Sequence, residues 1–270
     1  MACPPARRHA RPSQACFQPT SFMDPDVTET SSRSFFMRDL RPETPLEKLL
    51  DLGQYLPGAL GWICYRKLKR RLSNRSYAVF DQMLEQIGAG DIVIDLGANV
   101  GEITQQMAAT GATVHAFEPD PETFTHLQNA TKDLGNVVLH QAAVGGEDGT
   151  VTLFRPPSWQ DEQSRRSASK ANSIMEGDRT AQFDAACEVE LIDFARFLNE
   201  LPSKVKVIKV DIEGAEWAML RAVEARALDR FDAMFIETHE RFDLSILPEV
   251  RAMQARFAKM DRPYINLYWK

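Results

Sequence analysis

Asp91-Ile-Val-Ile-Asp-Leu-Gly-Ala-Asn-Val-Gly101 decides the fold. Its apolar run is too short for a helix and too uniformly apolar for a surface strand, so it reads as a strand buried on both faces. The strand runs into a glycine-rich turn, and a helical pattern follows Gly101. In an open α/β sheet such a turn lies at the carboxyl end of a strand, where ligands bind. Gly97 and Gly101 allow close backbone approach, and Asp95 at the strand end can order the loop or receive a cationic group. The spacing is G-x-x-x-G, with Leu96 and Asn99 flanking only Gly97, and not the G-x-G-x-x-G of dinucleotide sites.

Outward from this turn, short β-branched runs alternate with helical segments, the grammar of a mostly parallel central sheet flanked by helices. Strands are expected at Ile92–Asp95, Thr113–Phe117, Val137–His140, Val205–Val210 and Ala233–Glu237, with Tyr264–Tyr268 closing the sheet. Helices are expected after Gly101, Pro121, Gly214 and Leu247. Thr150–Phe154 and Glu188–Ile192 alternate in the manner of an antiparallel addition. The polar stretch from Arg155 to Ala186 between them is a candidate lid, because loops of that length inside a domain are usually functional or disordered.

Glu118 ends the second strand about 20 residues after the glycine turn, where an acidic side chain can take both hydroxyls of a ribose. Asp120 is the better placed residue to cap the helix at Pro121. After the third strand, Gln141-Ala-Ala-Val-Gly145 offers small residues and a free backbone for a flat ring, by analogy with nucleotide sites. The fourth strand carries Ile208-Lys-Val-Asp-Ile-Glu-Gly-Ala-Glu216. Asp211 and Glu213 there could orient a hydroxyl, hold a cation or remove a proton, or could simply suit a helix N-terminus. Lys209 shares a strand face with Asp211 and can neutralise it. His239, beyond the fifth strand and on one face with Glu237, is the histidine nominated as a base, since imidazole titrates near neutrality. Asp211, Glu237 and His239 could gather around a metal, but no zinc-type spacing is present and none is expected.

The 270 residues are 44% hydrophobic and 26% charged, ordinary for a soluble globular protein. Residues 1–44 read as a disordered tail, a transit peptide, or a start placed upstream of Met23 or Met37; 45–88 as a helical cap; and 89–270 as the main domain with an insertion at 155–186. A formal charge of −6 argues against nucleic acid as a partner. Four scattered cysteines suit a reducing, cytoplasmic compartment. The stretch Tyr55–Tyr65, interrupted by Pro57, is too short to span a bilayer. Next to it, Arg66-Lys-Leu-Lys-Arg-Arg71 reads as the solvated face of the cap or as a weak peripheral contact with an anionic membrane.

Taken in order, Asp95-Leu-Gly-Ala-Asn-Val-Gly101, Phe117-Glu-Pro119, Ala142-Ala-Val-Gly145 and Lys209-Val-Asp-Ile-Glu-Gly-Ala-Glu216 resemble the FkbM-type family of S-adenosylmethionine-dependent methyltransferases, over about residues 75–240. The resemblance implies a Rossmann-like class I methyltransferase fold, here with an N-terminal helical extension, and a late antiparallel strand that Tyr264–Tyr268 could supply. It implies that Asp95, Gly97, Asn99 and Gly101 hold the amino acid part of S-adenosylmethionine, that Glu118 holds the ribose, and that Ala142 and Ala143 face adenine. Asp211 would lie beside the transferred methyl. It implies O-methylation of a small-molecule or glycan acceptor, with Asp211 or His239 removing the hydroxyl proton. A nicotinamide-dependent oxidoreductase shares the glycine turn and distant acid but lacks its middle glycine here, and a non-catalytic binding module would keep the fold alone.

Overall fold

The computed structural model describes residues 42–155, 185–240, 244–260 and 262–269. Residues 1–41 of the expected 1–44 tail and nearly all of the candidate lid lie outside these residues.

The central sheet has six strands in the order β3-β2-β1-β7-β8-β9. These are β1 (Ile92–Leu96), β2 (Thr113–Phe117), β3 (Val137–His140), β7 (Val205–Val210), β8 (Phe231–Glu237) and β9 (Tyr264–Trp269). Each strand lies where its β-branched or aromatic run predicts, within one to two residues. All neighbouring strands are parallel. The late strand therefore departs from the expected antiparallel direction. Helix α7 (Leu247–Phe257) fills the connection from β8, and a helical crossover returns the chain to the same end of the sheet.

The two-residue period sorts the apolar side chains into two layers. Ile92, Ile94 and Leu96 of β1 pack with Ile208, Met234 and Ile265 against α5 (Phe194–Glu200), α6 (Glu216–Arg226) and α7, through Phe194, Leu220 and Met253. Val93 faces the other way, with Val114, Val207, Phe235 and Trp269, against α3 (Glu102–Ala108) and the second half of α2 (Gly58–Leu84). Val79, Phe80 and Leu84 thus make part of the expected cap a layer of the sheet sandwich. Before it, α1 (Pro45–Gly53) begins with Pro45 after a capping box in which Thr44 and Glu47 bond each other's backbone N–H. On the β3 side, α4 (Pro121–Thr131) is capped by Asp120, which accepts from the N–H groups of Glu122 and Thr123, as the sequence predicts.

The alternating runs form a separate three-stranded sheet in the order β4-β6-β5, built from β4 (Ala143–Gly145), β5 (Gly149–Arg155) and β6 (Ala185–Asp193). The pairing of β5 with β6 is antiparallel, as the alternation predicts. Strand β4 corrects one expectation: the backbone of 143–145 is not free but pairs with Leu191–Asp193. Among the described residues no helix is long and apolar enough to cross a membrane.

Candidate active site

Register brings the site together. Leu96 pairs with Phe117 on one side and Val210 on the other, and Val210 pairs with Ile236. The residues that follow, Gly97, Glu118, Asp211 and Glu237, therefore emerge side by side at the carboxyl ends of β1, β2, β7 and β8. The order of connection reverses between β1 and β7, so the crevice falls at the switch point of the sheet.

The glycine turn crosses the chain leaving β7 at very short range. Gly97 has φ +73°, and a Cβ built on it would lie 1.7 Å from the carbonyl oxygen of Asp211. Only glycine permits that crossing. Asn99 and Gly101 are also left-handed, with φ 51° and 91°. Asp211 donates its N–H to the Leu96 carbonyl.

Asp95 is fully buried on the α3 side of the sheet. One of its oxygens accepts from the Thr104 hydroxyl at 2.7 Å, and the other lies 3.2 Å from Lys209 Nζ. Of its two expected roles, the geometry is that of ordering the loop and receiving this chain's own cation. Lys209 also donates to the carbonyls of Gly97, at 2.7 Å, and Leu96, and is 4.0 Å from Asp211. Burial alone would lower the Lys209 pKa, but the Asp95 and Asp211 charges override it and raise the value.

Glu118 is buried and accepts from two backbone N–H groups, Asn99 at 2.9 Å and Asp120 at 3.0 Å. It ties the glycine turn to the end of β2. Burial pushes its pKa up to about 7 in spite of those donors. A carboxylate has about four acceptor sites, so two remain for hydroxyls of a ligand. Ala142 and Ala143 are both buried, and Ala143 packs against Leu153 and Val189.

Between β7 and β8 the structure gathers more acid than base. His239 is buried, with Nδ1 2.6 Å from Glu216 Oε1. Its Nε2 lies 3.1 Å from Glu213, 3.7 Å from Asp211 and 3.9 Å from Glu237. Burial would lower the imidazole pKa, but the hydrogen bonds and charges of Glu213 and Glu216 push it up to about 11. That direction runs against the near-neutral titration expected of a base. A count of neighbouring carboxylates, which decides this, is invisible in a strand's own sequence. Glu216, fully buried, also accepts from the Gly214 N–H, and so fixes both the histidine and the turn before α6. Ligand atoms of Asp211, Glu237 and His239 lie within 4.8 Å of one another, a grouping that would hold a cation only with the His239 ring deprotonated.

Two residues of the site come from α2 and were not anticipated. Lys69 donates to the Thr238 carbonyl and hydroxyl and to Glu240, at 2.7–3.1 Å, clamping the segment on either side of His239. Tyr77 packs against Trp269 in a tilted arrangement with ring centroids 4.3 Å apart, and burial together with the charges of Glu237 and Asp211 raises its pKa. The basic run at 66–71 was the available signal for Lys69.

A glycine turn at the switch point, a buried acid at the end of the next strand and a carboxylate-rich crevice are the arrangement of a cofactor-binding α/β domain. Residues 95–259 match the methyltransferase FkbM domain, and the chain belongs to the FkbM family of S-adenosylmethionine-dependent methyltransferases. It is 29% identical over 157 residues to Methyltransferase 1 of Beauveria bassiana, covering 54% of this chain and 63% of that protein. Identity to the hexuronic acid methyltransferase AglP of Haloferax volcanii is 28% over 162 residues, covering 60% of this chain and 61% of that one. The 31-O-demethyl-FK506 methyltransferase FkbM of Streptomyces tacrolimicus is 25% identical over 181 residues, covering 57% and 68%. The chain thus spans about three fifths of the length of the first two relatives.

Proposed function

We propose that this protein transfers a methyl group from S-adenosylmethionine to a hydroxyl of a small-molecule or glycan acceptor, with Asp211 as the base. The observation that carries the reading is the position of Asp211: its backbone touches the glycine turn, and its carboxylate, about one third exposed, opens into the same crevice. Two relatives have names that specify a hexuronic acid and a 31-O-demethyl acceptor; the second points to a hydroxyl, whereas a hexuronic acid offers both hydroxyls and a carboxylate.

The donor set suits the cofactor. Glu118 offers acceptors for a ribose diol, and the excess of carboxylates over Lys209 and His239 favours a cationic ligand. When bound, S-adenosylmethionine supplies a methyl group already activated on a sulfonium. Asp211 would accept the proton of the acceptor hydroxyl, beside the turn that would hold the cofactor. His239, already protonated, serves instead to hold Asp211, Glu213 and Glu237 in place, and Glu216 fixes its ring.

The test is incubation of the full chain with S-adenosylmethionine and a panel of hexuronic acid glycosides, following S-adenosylhomocysteine. Acceptor-dependent turnover is expected; binding of NAD in place of S-adenosylmethionine would overturn the reading. Cofactor affinity carries a pH signature of its own. A ribose hydroxyl donates to the charged form of Glu118, so binding strengthens as pH rises through its pKa of about 7. From about pH 8 down to about pH 6 the carboxylate fraction falls about tenfold, and Kd should rise by a similar factor. Glu118→Gln should bind weakly and lose that component. Equal slopes in the two proteins would remove Glu118 from the ribose.

A further inference from the structure

We propose that α1 and the first half of α2 form a docking face for an anionic phospholipid bilayer. The proposal does not depend on the methyl-transfer reading.

Residues 52–80 contain no acidic residue and six basic ones, in a chain whose net charge is −6. The structure divides these cations by role. Lys69 and Arg75 turn inward, to Thr238 and Glu240 and to Glu47, while Arg66, Lys67, Arg70 and Arg71 are exposed. On α2, Leu60, Ile63, Lys67, Arg70 and Asn74 repeat at intervals of three and four and so share one stripe, apolar at its start and basic further on.

Helix α1 completes the face with reversed polarity. Its Glu47 is buried against Arg75, while Leu46, Leu49 and Leu52 are 45%, 65% and 73% exposed. Tyr55, Leu56, Leu60 and Ile63 are also exposed. Single exposed leucines need no explanation, but a cluster of this size beside four exposed cations, Arg66, Lys67, Arg70 and Arg71, marks an interaction surface. Leu46 and Leu50 of α1 meet Lys67, Arg70, Arg71 and Asn74 of α2 around a cavity of about 450 Å³ that no carboxylate lines among the described residues. Cations beside leucines match the two parts of an anionic lipid, a headgroup phosphate and the start of its chains. Nucleic acid would engage the cations but leave the leucines in water, so a bilayer accounts for both halves of the face.

The test is co-sedimentation of the full chain with vesicles of phosphatidylcholine alone or with about 30 mol% phosphatidylglycerol. Binding to the anionic vesicles is expected to be at least about tenfold stronger and to weaken with salt. Lys67→Glu/Arg70→Glu/Arg71→Glu should abolish the preference, and Leu49→Asp/Leu52→Asp should abolish binding. The single variant Leu52→Ser, at the most exposed of these positions, should weaken it; unchanged thermal melting verifies that each variant is folded. Failure of the full chain to pellet with anionic vesicles would overturn the proposal. So would binding indifferent to the variants, or a dimer in light scattering that Leu52→Ser dissociates, which would assign the face to a second copy.

Discussion

Asp211→Asn is expected to lower kcat by about 10²–10⁴ while leaving the Kd for S-adenosylmethionine within about twofold. The substitution keeps the size and hydrogen-bonding span of the side chain and removes its capacity to take a proton. It spares the two backbone features that shape the cofactor turn, the Asp211 N–H on the Leu96 carbonyl and the Asp211 carbonyl against Gly97. A loss confined to kcat would therefore report the proton transfer. Turnover and cofactor affinity falling by the same factor would instead make the Asp211 carboxylate a ligand of the cofactor. His239→Gln is a useful contrast, because an imidazolium contributes by placing the carboxylates around it. Its loss should blur their positions and produce a smaller fall in kcat together with a raised KM.

The crevice was legible in the sequence because a parallel sheet aligns its strands, so residues that end successive apolar runs must meet at one edge. Glycine spacing, Glu118 and Asp211 all followed from that single rule. What the sequence did not carry was the partner of each charge. Lys69 reaches Thr238 across 169 residues, and nothing local distinguishes it from the exposed Lys67 or Arg70 beside it. The raised pKa of His239 comes from Glu213 and Glu216, which lie more than 20 residues before it in the chain. The direction of β9 was set by the length of the crossover helix, and the pairing of 143–145 by a strand more than 40 residues further on. Local pattern fixed the elements; distant electrostatics and pairing fixed their roles.

Lys209→Met should cost about 3–5 kcal/mol of stability, because it leaves the fully buried Asp95 carboxylate without its cation. In a domain of this size that corresponds to a fall in Tm of roughly 10 °C. Methionine approximates the lysine stem in volume, so packing changes little and the loss reports charge. The Thr104 hydroxyl would remain as a donor to Asp95, but a single neutral donor does not offset the desolvation of a carboxylate. Asp95→Asn added to Lys209→Met should recover part of the loss, since the uncompensated charge disappears with its partner, and the double variant should be more stable than the sum of the single effects. Wild-type stability in Lys209→Met would mean that the Lys209–Asp95 ion pair does not stabilise the fold. Recovery of stability without recovery of cofactor affinity is the expected end point: the donors to the Gly97 and Leu96 carbonyls leave with Lys209, and no substitution at Asp95 can restore them.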